Sequence, residues 1–170
     1  VETPKFVSCG GAKYHFDDDQ ETPDTQLATF DFDNAAIQWE HRTWSPRGID
    51  GAGFGIEFYG SERTLFCGGE GYKIFEKEKL VETRQGEPRE IEHLRNFLDC
   101  RITRDKPNAD VEICHYSTQL CHLANIAWRT RSTLTLNPTS AGQDLFVDNP
   151  AANELMGREY RKGFELPKIV

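Results

Sequence analysis

The order of apolar and polar residues changes halfway along the chain. In the first half the two kinds alternate, as where Phe30 and Phe32 alternate with Asp31 and Asp33. Such a period of two predicts half-buried strands. Further short segments of this kind follow, with glycine or charged turns between them: AIQWEHRTW, RTLFCGG, YKIF and LVET. Their spacing predicts an antiparallel meander of about five to seven strands.

In the second half the apolar residues recur at three- and four-residue steps. The first such series comprises Ile91, Leu94, Phe97, Leu98 and Ile102. It predicts an amphipathic helix, which Pro107-Asn108 would end. A longer helix is predicted over 109–131. The stripe predicted to face the core comprises Val111, Cys114, Thr118, Cys121, Asn125 and Trp128.

A third, short helix is predicted to start at Asp148-Asn149-Pro150, a cap followed by a proline, and to continue through Tyr160. Strands in the first half and helices in the second predict an α+β fold. We expect a mainly antiparallel open sheet with the helices packed on one of its faces. At 170 residues the chain suits a single domain.

Charge and composition exclude several kinds of partner. The chain has 28 acidic and 20 basic residues, a net charge of −8, and no basic stripe interleaved with aromatic residues, so nucleic acid is not expected. The sequence has no apolar run of about 18 residues, so no membrane span is expected. The N-terminus shows no secretory signal and the chain lacks a starting Met, which suggests a piece of a longer protein.

The stretch GAGFGIEFYG, Gly51 to Gly60, resembles part of a dinucleotide cradle. A cradle needs a helix directly after its glycines, because the N-terminal N–H groups of that helix bind the pyrophosphate. Here the residues after Gly55 alternate like a strand, and the next helical pattern begins near Glu90. The glycines are therefore predicted to permit a sharp entry into a strand and a close approach to the backbone.

The cysteines do not predict a disulfide framework, because they number five and form no CxxC pair. Cys114-His115 and Cys121-His122 raise the possibility of zinc. Adjacent helical residues diverge by about 100°, however, so these four side chains cannot converge on one ion without ligands from elsewhere. Small buried thiols on a core helix are the favoured interpretation, and no metal ligand is assigned.

The segment DDDQETPD places five carboxylates within eight residues. A calcium loop would need a glycine at its bend, which is missing here. A solvated loop is favoured, and a loop that faces a substrate or binds calcium remains open. Aromatic and charged residues near strand ends are either ordinary surface residues or a sugar site built from an aromatic face and a forked guanidinium. The substrate-binding candidates, including one residue of the acidic segment, are Tyr14, His15, Asp24, Arg42 and Trp44.

Several segments, taken in order, resemble a known family. The most specific pieces are ETPDTQ, NFLDC, P-x-ADVE and NIAWR, within VSCGGAKYHFDDDQETPDTQLATFDF, GAGFGIEFYGSERTLF, HLRNFLDCRITRDKPNADVEICHYSTQLCHLANIAWR and PAANELMGREYR. Together they resemble the C-terminal domain of the bacterial-type branch of Gfo/Idh/MocA oxidoreductases, the glucose–fructose oxidoreductase and inositol dehydrogenase family. The resemblance covers nearly the whole chain, with its N-terminal edge truncated.

The resemblance implies a two-domain parent enzyme. Its upstream Rossmann domain, absent from this chain, would bind NAD or NADP and carry the catalytic Lys. The α+β domain would build the substrate pocket and an oligomer interface. No catalytic or cofactor-binding residue is therefore expected within this chain, which alone would be inactive. The chain departs from the family at Arg63, where a turn usually has Gly, and at Thr130-Arg131-Ser132, where Leu-Gly-Arg is usual.

The leading hypothesis is the substrate-binding and oligomerisation domain of an NAD(P)-dependent oxidoreductase acting on a sugar, polyol or derivative. Its expected partners are a carbohydrate-type small molecule, the missing Rossmann domain, and further copies of the protein bound through the open sheet face. Two alternatives are an NAD-dependent glycosidase on the same scaffold and a stand-alone carbohydrate-binding or assembly module. The location stays open between the bacterial cytoplasm and the periplasm.

Overall fold

The structure is a computed structural model that describes residues 3–69, 71–137 and 145–166, with Asp50 described by its backbone alone. Within those ranges the chain forms eight strands, three α-helices and one short 3-10 helix, Ile49–Gly51. The strands are β1 (Phe6–Ala12), β2 (Thr25–Asp31), β3 (Ala36–Arg42), β4 (Gly55–Tyr59), β5 (Thr64–Gly68), β6 (Gly71–Glu76), β7 (Lys79–Gln85) and β8 (Leu134–Thr135). The helices are α1 (Glu90–Thr103), α2 (Val111–Thr130) and α3 (Pro150–Glu154).

The chain divides into two compact units. The first unit comprises Val1–His41 and Val111–Val170, and its sheet has the strand order β3-β2-β1-β8. The second unit comprises Arg42–Asp110, and its sheet has the order β4-β5-β6-β7. The predicted α+β class with antiparallel strands is confirmed, and the strands of the described residues lie in two four-stranded sheets.

The core of the first unit lies on one face of β1 and β2. Val7 pairs with Phe30 and Cys9 with Ala28, so side chains of both strands point to the same side. Val7 and Ala28 are fully buried there, and Phe30 is nearly so. The other residues of this core come from α2, β8, α3 and the chain around them: Leu123, Ala124, Ile126, Ala127, Leu134, Leu136, Leu145, Phe146 and Ala152.

The helix predicted over 109–131 is confirmed as α2, but the predicted buried stripe is wrong. Val111 is 80% exposed, and Cys114 and Cys121 are exposed as well. The buried residues of α2 are Leu123, Ala124, Ile126 and Ala127, all in its C-terminal half. They lie on roughly the opposite side of the helix from the predicted stripe, on the face of α2 that packs against β1.

The predicted start of the last helix is confirmed. The Asn149 side chain caps α3 by accepting a hydrogen bond from Ala152 N at 3.0 Å, and Pro150 occupies the first helical position. The helix ends at Glu154, so the predicted extension through Tyr160 is wrong. Its last turn closes on Leu155 and Met156, directly before Gly157, a residue that disfavours continuation.

The second unit accounts for the glycine-rich stretch. Gly55 begins β4 and pairs with Gly68 of β5, and the ring of Phe66 packs over both glycines. A Cβ atom at Gly55 would lie 2.7 Å from the ring, and one at Gly68 would lie 2.9 Å from it. Gly60 N donates to Arg63 O at 2.9 Å in the turn that follows β4. The stretch therefore forms a strand and a turn, as predicted, and not a nucleotide cradle.

Helix α1 is confirmed at the predicted position. It ends at Thr103, and Arg104 follows as its cap in the left-handed backbone conformation. Asn96 of this helix fixes the chain beyond it, since its Oδ1 accepts from Asn108 N at 2.9 Å. Within the described residues, no residue of α1 is buried, and its apolar side chains are exposed. In the described residues no helix is both long and apolar enough to cross a membrane.

Candidate functional site

The first unit contains an open groove of about 1090 Å³. One wall is Ser8–Ala12 of β1, and another is Trp128–Thr133 at the C-terminal end of α2. Glu21, Leu27, Thr29, Ala151 and Leu155 complete the lining. Strand β8 pairs with β1 only at Phe6 and Val7 in the described residues, so the groove follows the part of β1 beyond that pairing.

Trp128 joins the two walls of the groove. Its indole Nε1 donates a hydrogen bond of 2.9 Å to the Gly11 carbonyl, across 117 residues of sequence. Gly11 has a φ of +146°, and a Cβ atom there would lie 2.2 Å from the Thr25 carbonyl oxygen. Only glycine therefore fits this position without displacing β2. The hydrogen bond fixes the aromatic ring in one orientation at the groove.

The second wall is shaped by the end of α2. Arg131 N donates to Trp128 O and Ser132 N donates to Ala127 O, each at 3.2 Å, which is the pattern of a Schellman motif. The motif places Arg131 in the left-handed conformation, with a φ of 50°. Glycine usually occupies this position. The turn directs the chain from α2 along the groove toward β8.

A chain of hydrogen bonds runs through the hydroxyl groups of this wall. Asn149 Nδ2 donates to Ser132 Oγ at 2.9 Å, and Ser132 Oγ lies 2.8 Å from Thr130 Oγ1. Thr130 Oγ1 in turn donates to the Ile126 carbonyl at 2.8 Å. The side chain that caps α3 thus also holds two hydroxyls that line the groove.

The charged residues that line the groove are Glu21, Arg129 and Arg131. Arg129 and Glu21 form a loose ion pair, with 3.7 Å between Nη2 and Oε2, and both side chains are substantially exposed. Burial raises the pKa of the Cys9 thiol, so this thiol stays protonated near neutral pH and is a poor nucleophile. Opposite Gly11 on β2 lies Gln26, whose side chain is buried.

Asp24, a predicted substrate-binding residue, is fully buried in the first unit. Its carboxylate accepts from three successive backbone N–H groups, those of Tyr14, His15 and Phe16, at 3.1, 2.8 and 2.9 Å. The Thr25 hydroxyl donates to it as well, at 2.8 Å. Burial alone would raise the pKa of this carboxyl, but the four donors outweigh burial and hold the pKa far below its usual range.

The structure brings Tyr14, His15 and Asp24 together, with the Tyr14 and His15 side chains exposed beside the buried carboxylate. The other two candidates, Arg42 and Trp44, lie in the second unit, at the end of β3 and in the turn after it, and both are exposed. None of the five lines the groove. Their role in substrate binding stays a prediction.

The acidic segment is exposed at Asp17, Asp18 and Asp19, as a solvated loop should be. Lys13 Nζ lies 2.6 Å from Asp18 Oδ1. Among the described residues no group of three or more His, Cys, Asp or Glu side chains is placed to hold a metal ion.

Residue-level sequence analysis missed the functional candidates of the groove, namely Trp128, Arg129, Thr130, Ser132 and Asn149. Trp128 and Arg129 are the last two residues of the segment NIAWR, and Asn149 precedes the segment PAANELMGREYR. Both segments belong to the stretches on which the resemblance in sequence rests, so that resemblance was the available signal. Their meeting with Ser8–Ala12 depends on tertiary contacts that no local pattern contains.

Comparisons with known proteins give a likeness of fold. One solved structure, named as a "putative oxidoreductase" from Thermotoga maritima, superimposes with a TM-score of 0.61 over 79% of this chain, at 14% sequence identity. The chain spans 41% of the length of that protein. No protein-family profile and no curated protein matches the sequence. At this identity the likeness shows a shared fold.

Proposed function

We propose that the chain is the substrate-binding and oligomerisation part of an NAD(P)-dependent oxidoreductase that acts on a sugar, polyol or derivative. The observation that carries the proposal is the groove, which combines a fixed indole, an arginine and a row of hydroxyl groups. These groups suit a polyhydroxylated ligand, since an aromatic face covers its apolar C–H surface and polar groups fix its hydroxyls. The fold shared with the Thermotoga maritima protein and the order of the sequence motifs support the oxidoreductase assignment.

In this proposal the cofactor is bound by a Rossmann domain outside this chain, which also supplies the groups that move the proton. The groove holds and orients the substrate. Trp128 supplies the aromatic face and Arg129 a forked donor. Asp24 acts indirectly, because it holds the backbone of Tyr14 and His15, whose side chains are exposed.

The test uses the full-length protein. Binding of NAD and NADP is measured by fluorescence titration, and reduction of the cofactor is then followed at 340 nm with a panel of sugars and polyols. We expect one cofactor to bind and at least one polyol to be oxidised. Trp128→Ala should raise KM, and Trp39→Ala, which changes an exposed tryptophan of β3, should leave it unchanged. A full-length protein that binds neither cofactor would contradict the proposal.

A further inference from the structure

The hydrogen-bond chain at the end of α2 determines which atoms the groove offers to a ligand. The Thr130 hydroxyl donates its proton to Ile126 O. In its contact with Ser132 it must therefore accept, so the Ser132 proton points to Thr130. Ser132 also accepts from Asn149 Nδ2. The proton of each hydroxyl is already used in a hydrogen bond within the protein, and each oxygen keeps one lone pair. Both hydroxyls can therefore only accept a hydrogen bond from a ligand.

The same wall lies at the C-terminal end of a 20-residue helix, where the helix dipole is negative. Arg129 and Arg131 lie at this end and offset the dipole, and Arg129 already faces Glu21. A ligand hydroxyl can donate to the lone pairs of Ser132 and Thr130. A carboxylate has no proton to give and would be repelled by them.

From the direction of these hydroxyl protons we infer that the groove selects neutral polyols through their own hydroxyl protons and disfavours the corresponding sugar acids. Ser132 is the specificity-determining acceptor, and Thr130 and Asn149 are positioning residues that fix the direction of its proton. The inference rests on the proposed function and narrows its substrate class.

The experiment measures binding to the full-length protein, without cofactor, by calorimetry and saturation-transfer NMR. The probes are D-glucose and myo-inositol as neutral polyols and D-glucuronate as the matched acid. We expect at least one neutral probe to bind, and D-glucuronate to bind about fivefold more weakly or worse. Equal or tighter binding of D-glucuronate would overturn the inference. So would a folded protein that binds neither neutral probe at millimolar concentration.

Three variants locate the effect, and their melting temperatures show whether each one folds. Ser132→Ala removes the acceptor and should weaken neutral-probe binding about tenfold. Ser117→Ala should change nothing, because Ser117 lies on the same helix, outside the groove lining, and bonds to carbonyls of its own helix. Thr130→Val keeps the shape of the side chain but frees the Ser132 proton. It should therefore improve D-glucuronate binding relative to D-glucose.

Unchanged selectivity in Thr130→Val, or unchanged affinity in Ser132→Ala, would overturn the inference. Its failure is distinguishable from failure of the proposed function. Cofactor reduction with an acid as the substrate would support the proposed oxidoreductase function and contradict the preference for neutral polyols. Polyol binding that depends on Ser132, in a protein that binds no cofactor, would leave only the groove's selectivity standing.

Discussion

Arg131 adopts the left-handed backbone conformation, which is unfavourable for residues that carry a side chain. It is the residue after α2, has a φ of 50°, and stands where the resembling family usually has glycine. Arg131→Gly should stabilise the protein by about 1 kcal/mol, because glycine adopts this conformation without steric cost. Urea denaturation measures the change. Arg131→Ala is the control for loss of charge, and an equal gain from both variants would show that charge, not strain, is responsible.

Gly10 and Gly11 are neighbours with opposite tolerance for a methyl group. A Cβ atom at Gly11 would overlap the Thr25 carbonyl, whereas one at Gly10 has nothing within 4 Å. Gly11→Ala should therefore destabilise the protein by more than about 2 kcal/mol, since the backbone of β2 must move. Gly10→Ala should change stability by less than about 0.5 kcal/mol. Thermal unfolding compares the two, and equal losses would refute the assigned register of β1 on β2.

At the scale of elements, the loop before β2 is held by Asp24. The folded-state pKa of this carboxyl lies below its unfolded value, so its stabilising effect is complete above about pH 4 and is lost as the pH falls further. Unfolding free energy should therefore drop more steeply in wild type than in Asp24→Asn between about pH 4 and pH 2. Asp24→Asn should also melt several degrees lower near neutral pH. Denaturation series at stepped pH measure both effects, and parallel curves for the two proteins would argue against this role.

Elements were more predictable than their faces. The period-two segments became strands, and the three- and four-residue steps became α1 and α2, because these patterns depend on local backbone geometry. The buried face of α2 was mispredicted, since two thiols and a tryptophan at regular spacing resemble a core stripe. Which face is buried depends on the partner, and here α2 packs against β1. The groove could not be predicted from local patterns either, since its two walls are about 120 residues apart in sequence.

At the scale of the whole molecule, the sheet of the second unit presents an apolar face. By strand alternation and register, its members are Ile56, Phe58, Leu65, Cys67, Tyr72 and Ile74. Ile56 and Phe58 are more than half exposed in the chain by itself. An uncovered apolar face of this kind usually marks an interface. This supports the predicted self-association through the open sheet.

Phe58→Lys should weaken self-association of the full-length protein at least tenfold, because it places a charge within the apolar face. Tyr59→Lys is the matched control, since Tyr59 is exposed on the opposite face of the same strand. Sedimentation velocity at micromolar concentration measures the distribution of species. A wild-type protein that remains monomeric would exclude this interface, and equal weakening by both variants would place the contact elsewhere.

The aromatic ring of Phe66 lies where side chains at Gly55 and Gly68 would otherwise be. A side chain at position 55 or 68 is therefore costly because it would overlap the ring. A smaller residue at position 66 is costly because it would leave the space beside the two glycines empty. Mutational scans that vary one position at a time would score all three as intolerant. A library that varies them jointly should recover combinations of a smaller residue at position 66 with alanine at position 55 or 68. Homologous sequences should likewise show covariation among these three positions, although they lie on two different strands.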